Sequence, residues 1–528
     1  MDATATDHSA LSTSVVRGTD VDHLKIIDLL DDVDTLLRKK CHPQNDIRGF
    51  LARGDITTIL TERVIWDILS QNQSLALTED ELNEIVGQVF NKDLEKRMIE
   101  IFAILIFTGK VEYIQELVRS GINDKQLPLV PQEWYERLDF WQKSQVDDFC
   151  CRQWLVHIPI LNFATDNTEI VKYKEEQRMP FVYERGIGRG GQGENTTFAL
   201  KRVFSASKWN NEVKALNRFR EANLEHQHLI RLLFAYEHKG KGFYMVFPLA
   251  RGDLNHYWEK NTSQVPSYET LRWLIQQCTG IAAALKKIHC LDSLDQKLGR
   301  HGDIKPSNIL WFEDTKHVRG LLVVSDLTMA RFHSIDTVNN STSALHRDLS
   351  MTYRPPEIDL ELKRGLSQAY DVWSLGCVFF EFVVWYLVGY NAINHEKGFL
   401  NDQQKCLSFR YARLQDDNSR NGRYDDKFFN TSNTKSGDGC NTAAVVKESV
   451  HMWARFLHAS NNCSKVLHDF LILIMTRMLV IEPRERISIE QPARKRRTGY
   501  FYTGKQQFGW KITGNEAILE MQALGAEN

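Results

Sequence analysis

The chain has 528 residues, enough for two or three domains and at least one sizeable core. Apolar residues make up 42% and charged residues 25%, the profile of a globular chain rather than a disordered one. A formal net charge of -2 provides no global field toward nucleic acid or membrane, so neither is expected as a partner.

The opening residues MDATATDHSALSTSVV are too polar for a secretory signal, and residues 1–19 read as a flexible N-terminus. A helical domain is expected over 20–160. VDHLKIIDLLDDVDTLL (21–37) places apolar residues at helical spacing. Thr78 is placed to cap a helix, with Glu81 completing a capping box and Leu77 stapled to Leu82. Residues 96–121 continue as one or two amphipathic helices ending near Gly121, and aromatic residues recur over 133–154. Core packing accounts for all of these better than a ligand site does. The polar stretch 161–179 reads as a linker.

Beyond it the texture changes. MPFVYERGIG suggests a strand, GRGGQG a glycine turn, and TFALKRVF a second strand. EVKALNRFR then reads as a helix, followed by the strand candidates LIRLLFAYE and FYMVFPL. A strand-rich lobe (180–250) therefore precedes a largely helical one (251–491). LGCVFFEFVVWYLVG (375–389) contains Glu381 and is short for a bilayer span, so it reads as a buried core helix. The polar stretch 401–444 is expected to be an insertion loop on the surface, and 492–528 a C-terminal tail. ARKRR (493–497) has the composition of a nuclear-localisation patch, although such runs are usually solvated surface. The nine cysteines contain no C-x-x-C pair, and the adjacent Cys150 and Cys151 read as packing residues. Neither a zinc site nor a disulfide framework is expected, which fits an intracellular, cytoplasmic or nuclear setting.

Several short motifs carry chemistry in combination. Gly188, Gly190 and Gly193 permit exposed backbone N–H groups that can cradle phosphates, though many glycine turns do nothing of the kind. A strand rather than a helix follows, which argues against dinucleotide binding. Ala199-Leu200-Lys201 lies on that strand, and Glu212 lies on the next helix with Leu216 one turn further on the same face. HGDIKPSN (301–308) gathers His301, Asp303, Lys305 and Asn308, and LLVVSDLTMA places Asp326 at the end of an apolar strand. SMTYRPPE (350–357), YDVWSLGCVFFE with Asp371, and MLVIEPRERI with Arg486 complete the set.

In this order and spacing the motifs resemble those of eukaryotic-type protein kinases, Ser/Thr class, over roughly 180–490. The resemblance implies an α+β, two-lobed protein-kinase-like fold preceded by the all-α N-terminal domain. It implies ATP and Mg²⁺ as cofactors and protein substrates as partners, with phosphoryl transfer to Ser or Thr hydroxyls. Asp303 would orient the substrate hydroxyl, Lys305 would neutralise phosphoryl charge, and Lys201, held by Glu212, would pair the α- and β-phosphates. Asn308 and Asp326 would hold the metal, while Gly188, Gly190 and Gly193 cover the phosphates. Ala199, Val246 and the backbone of Phe247 to Leu249 would meet the adenine. His301 is a structural imidazole, and Leu327 would stack in an apolar column with Leu216, Leu232 and His301. Ser350 would bond to Asp303 and Lys305, Glu357 would pair with Arg486, and Asp371 would hold the catalytic-loop backbone. The N-terminal domain would recruit a partner or autoinhibit.

Three departures accompany the match. Gly302 stands where the family has arginine, Thr328 stands in place of the D-F-G glycine, and the run between Gly193 and Ala199 is distinctly shorter than in the family, with Asn195 in place of the valine that caps adenine. Only five residues, ENTTF, separate Gly193 from Ala199, and at about 3.3 Å per residue they can hardly finish a loop and build a hairpin. These features leave open a regulatory, pseudokinase reading. Without the arginine guanidinium, phosphorylation of the activation segment loses its usual electrostatic partner. Phosphatase treatment that removes phosphate from Thr337 or Thr342 is therefore expected to leave phosphotransfer in place, and complete loss in a before-and-after assay would contradict this.

Overall fold

The computed structural model describes residues 29–42, 49–159, 161, 170–184, 187–190, 197–221, 225–261, 266–290, 297–314, 318–327, 331–334, 351–360, 367–394, 399–401, 404–416, 425–436, 439–488, 510–513 and 518–521. Gly193, Asn195, Thr328, Thr337, Thr342, Ser350 and the basic run 493–497 lie outside these residues. The chain forms two compact units, residues 1–162 with 173–198, and residues 163–172 with 199–528. The architecture is α+β, helical over 29–156 and mixed beyond.

In the first unit the helices are α1 (Leu29–Lys40), α2 (Arg53–Ile59), α3 (Glu62–Gln71), α4 (Glu79–Val89), α5 (Ile99–Thr108), α6 (Ile114–Arg119), α7 (Pro131–Trp134) and α8 (Lys143–Val156). Thr78 and Glu81 form the expected capping box at α4, and Leu77 packs against the same core as Leu82. Helix α5 is not amphipathic: every residue from Ile99 to Phe107 is buried, which makes it the centre of this core. Gly109, at φ 62°, ends it in the left-handed conformation that glycine adopts without steric cost. The side chain of Asp124 accepts from the first N–H groups of this helix, Glu100 at 3.1 Å and Ile101 at 3.0 Å. Burial, and then the neighbouring Glu100 charge, push the Asp124 carboxyl up to about 7. Glu100 is itself buried against Arg53 and His157.

After the short strand β1 (Val171–Tyr173), strands β2 (Phe181–Glu184) and β3 (Ile187–Gly190) form an antiparallel hairpin, with Phe181 opposite Gly190 and Tyr183 opposite Gly188. Gly188 and Gly190 therefore lie within a strand and not in a glycine turn. This corrects the expectation that ENTTF must supply the second strand. The hairpin is completed upstream by IGRG, so β4 (Thr197–Val203) follows directly after residues 191–196.

The second unit carries β1, β5 (Phe234–His238), β6 (Gly242–Pro248) and β4 as neighbours in that order, with α9 (Ala206–Glu221) inserted in sequence after β4. Residues 230–233, expected in a strand, precede β5. Trp209 anchors α9 to β6 by donating Nε1–H to the Tyr244 carbonyl at 3.3 Å and packing its ring at 4.9 Å from that of Phe243, tilted by 34°. There follow β7 (Gly252–Asp253), α10 (Leu254–Lys260), α11 (Tyr268–Cys290), β8 (Lys297–Arg300), β9 (Ile309–Phe312), β10 (Leu321–Val324) and β11 (Arg331–Ser334). Strand β9 lies between β7 and β10, all antiparallel, and β8 pairs with β11. This arrangement places residues 301–308 and 325–327 at adjacent strand ends.

Helices α12 (Pro356–Asp359), α13 (Ala369–Val388) and α14 (Tyr390–Asn394) come next. Helix α13 is long and apolar enough to cross a membrane, yet 89% of its apolar window is buried inside the protein, as the core helix expected from sequence. The region 401–444 departs from expectation. A hairpin of β12 (Phe399–Asn401) and β13 (Gln404–Cys406), helix α15 (Phe409–Gln415) and a hairpin of β14 (Phe429–Ser436) and β15 (Gly439–Val446) occupy much of it. A buried cation ties part of this region to α13. Arg413 donates to Glu381 on α13 at 3.0 Å and to the Asp426 carbonyl at 2.8 Å, with its guanidinium 3.9 Å over Phe409 and 4.3 Å from the Phe428 ring centre. The second Glu381 oxygen accepts from Tyr353 Oη at 2.8 Å. Helices α16 (Glu448–His458) and α17 (Lys465–Leu473) complete the core.

Removing one member of such a pair leaves the other charge buried and uncompensated. Arg413→Met is expected to lower stability by about 3–5 kcal/mol, read as a fall in urea midpoint, while adding Glu381→Gln restores most of it.

Candidate active site

Strand β4 points Lys201 inward, and α9 brings Glu212 to meet it. The Lys201 ammonium donates to Glu212 Oε1 at 2.7 Å and Oε2 at 2.9 Å, and to Asp326 Oδ1 at 2.9 Å. Glu212 is only 1% exposed, so the Lys201 ammonium meets it away from solvent. Burial works against the Lys201 charge, but Glu212 and then Asp326 outweigh it and hold the ammonium above its ordinary range. Asp326 follows β10 with φ 63°, a left-handed conformation that aspartate tolerates better than most residues. It is the one non-glycine residue at positive φ among the described residues.

A second cluster lies on the turn after β8. Asp303 Oδ2 accepts from Lys305 Nζ at 2.6 Å and from Asn308 Nδ2 at 2.9 Å, and the same Asn308 amide also reaches the Asp303 carbonyl at 2.8 Å. Asp303 and Asn308 are both buried. With Nδ2 committed to Asp303, Oδ1 is the Asn308 atom left as an acceptor, and Asp303 Oδ1 makes no hydrogen bond among the described residues.

Backbone contacts hold the two clusters in register. His301 Nδ1 accepts from the Asp303 N–H at 3.2 Å, which leaves Nε2–H to donate to the Ser325 carbonyl at 2.9 Å. The Ser325 N–H and hydroxyl both donate to the Asn308 carbonyl, at 2.9 and 3.0 Å. Asp371, at the start of α13, accepts from the backbone N–H of His301 and of Gly302, each at 2.8 Å, and from His289 Nε2 at 2.9 Å. Burial would raise the Asp371 carboxyl, but the His289 hydrogen bond and charge, His301 and the Gly302 N–H prevail and hold it below the usual carboxylate range. Leu216, Leu232 and Leu327 share one core, and His301 is fully buried. Glu357 and Arg486 make a bidentate pair at 2.8 and 2.7 Å.

The remaining candidates are positioned by β4 and β6. Ala199 packs partly buried beside Lys201, Val246 is fully buried, Phe247 is 9% exposed, and Leu249 follows β6 half-buried. Gly188 and Gly190 lie on β3 in the first unit. Sequence reasoning missed His289 and Ser325. His289 closes α11 in the unremarkable run KKIHC, with no spacing that ties it to Asp371. Ser325 immediately precedes Asp326, yet its role is to fasten the backbone of Asn308.

The donor set suits a hard divalent cation, since Asn308 Oδ1 and the Asp326 carboxylate are oxygen ligands and Asp326 retains 39% side-chain exposure. Clustered carboxylates, a lysine clamped by a buried glutamate, and an aspartate with one oxygen held and one open suit the handling of phosphate and a hydroxyl.

The family model of the protein kinase domain matches residues 189–496. The "Probable dual specificity protein kinase madd-3" of Caenorhabditis elegans is 26% identical over 313 residues, 57% of this chain and 32% of that protein. From Saccharomyces cerevisiae, "Mitogen-activated protein kinase SLT2/MPK1" is 28% identical over 229 residues, 40% of this chain and 44% of that protein. "Glycogen synthase kinase-3 homolog YGK3" from the same yeast is 27% identical over 246 residues, 42% of this chain and 59% of that protein. The matched stretch thus spans less than two thirds of each relative. The two clusters fall within the segment that the family model covers, more than half of the whole sequence, and on that match the chain belongs to the protein kinase domain family.

Proposed function

We propose that the chain is an ATP-dependent protein serine/threonine kinase that transfers the γ-phosphate of Mg-ATP to Ser or Thr hydroxyls of protein substrates. The observation that carries this reading is the Asp303 carboxylate. Lys305 and Asn308 hold one of its oxygens, and the other remains available to a substrate hydroxyl.

In transfer, the hydroxyl oxygen bonds to the γ-phosphorus as the bond from that phosphorus to the β,γ-bridging oxygen breaks and ADP departs. Asp303 orients the hydroxyl and accepts its proton late. Lys305 neutralises charge on the transferred group, and Lys201, fixed by Glu212, meets the α- and β-phosphates. Asn308 and Asp326 would hold Mg²⁺, which when bound neutralises phosphate charge. Gly188, Gly190 and Gly193 are assigned to phosphate covering, and Ala199, Val246, Phe247 and Leu249 to the adenine. KPSN (305–308) favours Ser/Thr over tyrosine as acceptor. The helical stretch before the kinase domain is assigned to partner binding or autoinhibition, and the setting to the cytoplasm or nucleus.

A pseudokinase is the second reading, favoured by Thr328 at the D-F-G glycine, where a branched side chain restricts the backbone. Wild type and Asp303→Asn, assayed side by side with γ-labelled Mg-ATP and generic Ser/Thr substrates, separate the two. Asp303→Asn is expected to reduce transfer about 10²–10⁴-fold with nucleotide binding retained. Transfer that survives the substitution refutes the assignment, and wild-type binding without transfer establishes the pseudokinase.

The Lys201 charge is present below its raised pKa and lost as pH climbs through it. Glu212→Gln removes the larger stabilising charge while burial still opposes the ammonium. The alkaline limb of kcat/KM for ATP is therefore expected at lower pH in Glu212→Gln than in wild type, and coincident limbs would separate Lys201 from nucleotide binding.

A further inference from the structure

The second unit contains a donor cluster that the transfer reaction does not use. His458 is the last residue of α16, Cys463 lies in the short connection, and His468 lies in the first turn of α17. One donor atom from each lies within 4.8 Å of the other two. The connection is fixed by its own backbone, with the Cys463 N–H donating to the Ser460 carbonyl at 2.9 Å and the His468 N–H to the Ser464 carbonyl at 3.0 Å.

The two imidazoles stack, with centroids 5.0 Å apart and planes at 8°, and their Nδ1 atoms are 2.7 Å from each other. Such a contact requires a proton on one nitrogen and a lone pair on the other, and two imidazolium ions there would repel. Cys463 is 9% exposed beside them, and burial pushes its thiol up from its ordinary range. Two stacked imidazoles and a buried thiol at one helix–helix junction are more polar than packing requires. They are also the donors that a zinc-class ion selects.

We propose that His458, Cys463 and His468 form a binding site for a zinc-class transition-metal ion that joins α16 to α17. Bond lengths of about 2.0–2.1 Å to nitrogen and 2.3 Å to sulfur put tetrahedral ligand atoms about 3.3–3.7 Å from one another. The 2.7 Å nitrogen pair and the 4.8 Å limit bracket that range, so modest side-chain rotations complete the triad. Binding replaces the imidazole–imidazole hydrogen bond with two N–metal bonds, and the thiol proton passes to solvent as the S–metal bond forms. Three protein ligands leave a fourth position for water. The H-x4-C-x4-H spacing differs from familiar zinc motifs, so the sequence reading expected no such site.

The test uses the full chain, freed of metal with a chelator and titrated with Zn²⁺ against a chromogenic competitor, then with Co²⁺ as a spectroscopic stand-in. The expected result is one ion per chain, a thiolate-to-cobalt charge-transfer band, and protection of Cys463 from alkylation by Zn²⁺ in peptide mass spectrometry. Cys463→Ser is expected to abolish the band. His458→Gln and His468→Gln are each expected to weaken Zn²⁺ binding by at least the 10–100-fold seen when an outer-shell partner is removed. A wild-type chain that takes up no Zn²⁺, or a band that survives Cys463→Ser, overturns the proposal. Should a variant fail to fold by circular dichroism, Cys463 protection in the wild type decides the matter, and equal alkylation with and without Zn²⁺ refutes it.

Discussion

The buried carboxylate of Asp371 is the constraint from which the rest of the site follows. It is 0% exposed, and a carboxylate so placed is tolerable only when donors replace water. Two of those donors are consecutive backbone N–H groups, His301 and Gly302, and the third is His289 at the end of α11. Satisfying the charge therefore dictates the path of the chain immediately before Asp303. Gln368 adds to the same joint by donating to the carbonyls of His289 and Gly299, so the ends of α11, β8 and α13 meet at one point.

From that point order passes outward through side chains that reach backbone carbonyls. His301 fastens to Ser325, and Ser325 fastens to Asn308. The residues assigned to metal binding thus lie on either side of a single hydrogen-bonded seam. Lys201 then ties β4 and α9 to Asp326 across the same seam. Moving Asp326 disturbs Lys201, and moving Lys201 uncovers the buried charge of Glu212. Breaking the links among the buried members, His301, Ser325 and Asn308, leaves a buried polar group unsatisfied, which costs about 1–3 kcal/mol.

Much of this was legible because phosphoryl-transfer chemistry demands particular residue types in a particular order. Lys201, Glu212, Asp303, Asn308 and Asp326 could be picked out before any contact was known. The core helix α13 was legible from its unbroken apolar run, and the α4 cap from the offset of Thr78 and Glu81. Other features depend on pairings that sequence spacing does not encode. Gly188 and Gly190 suggest a turn by composition, yet pairing with Phe181 and Tyr183 draws them into a strand. The polar run 401–444 conceals Arg413, whose burial depends on Glu381 far away in the chain and on the Phe409 and Phe428 rings, nineteen positions apart. His289 and the triad at 458, 463 and 468 consist of ordinary residues made special only by what folding sets beside them.

Gly302 illustrates how local geometry bears on regulation. Its φ is 85°, where a side chain would cost on the order of 1 kcal/mol and glycine costs nothing. The hold on this residue is its N–H donated to Asp371, a contact that any amino acid other than proline would make. The turn before Asp303 is therefore shaped without help from the side chain at this position. An arginine here would have added a charge for a phosphate to grip, but no contact that the turn needs. Its absence separates two properties that share one position in the family. The backbone path to Asp303 remains built in through Asp371, whereas position 302 supplies no guanidinium for an activation-segment phosphate.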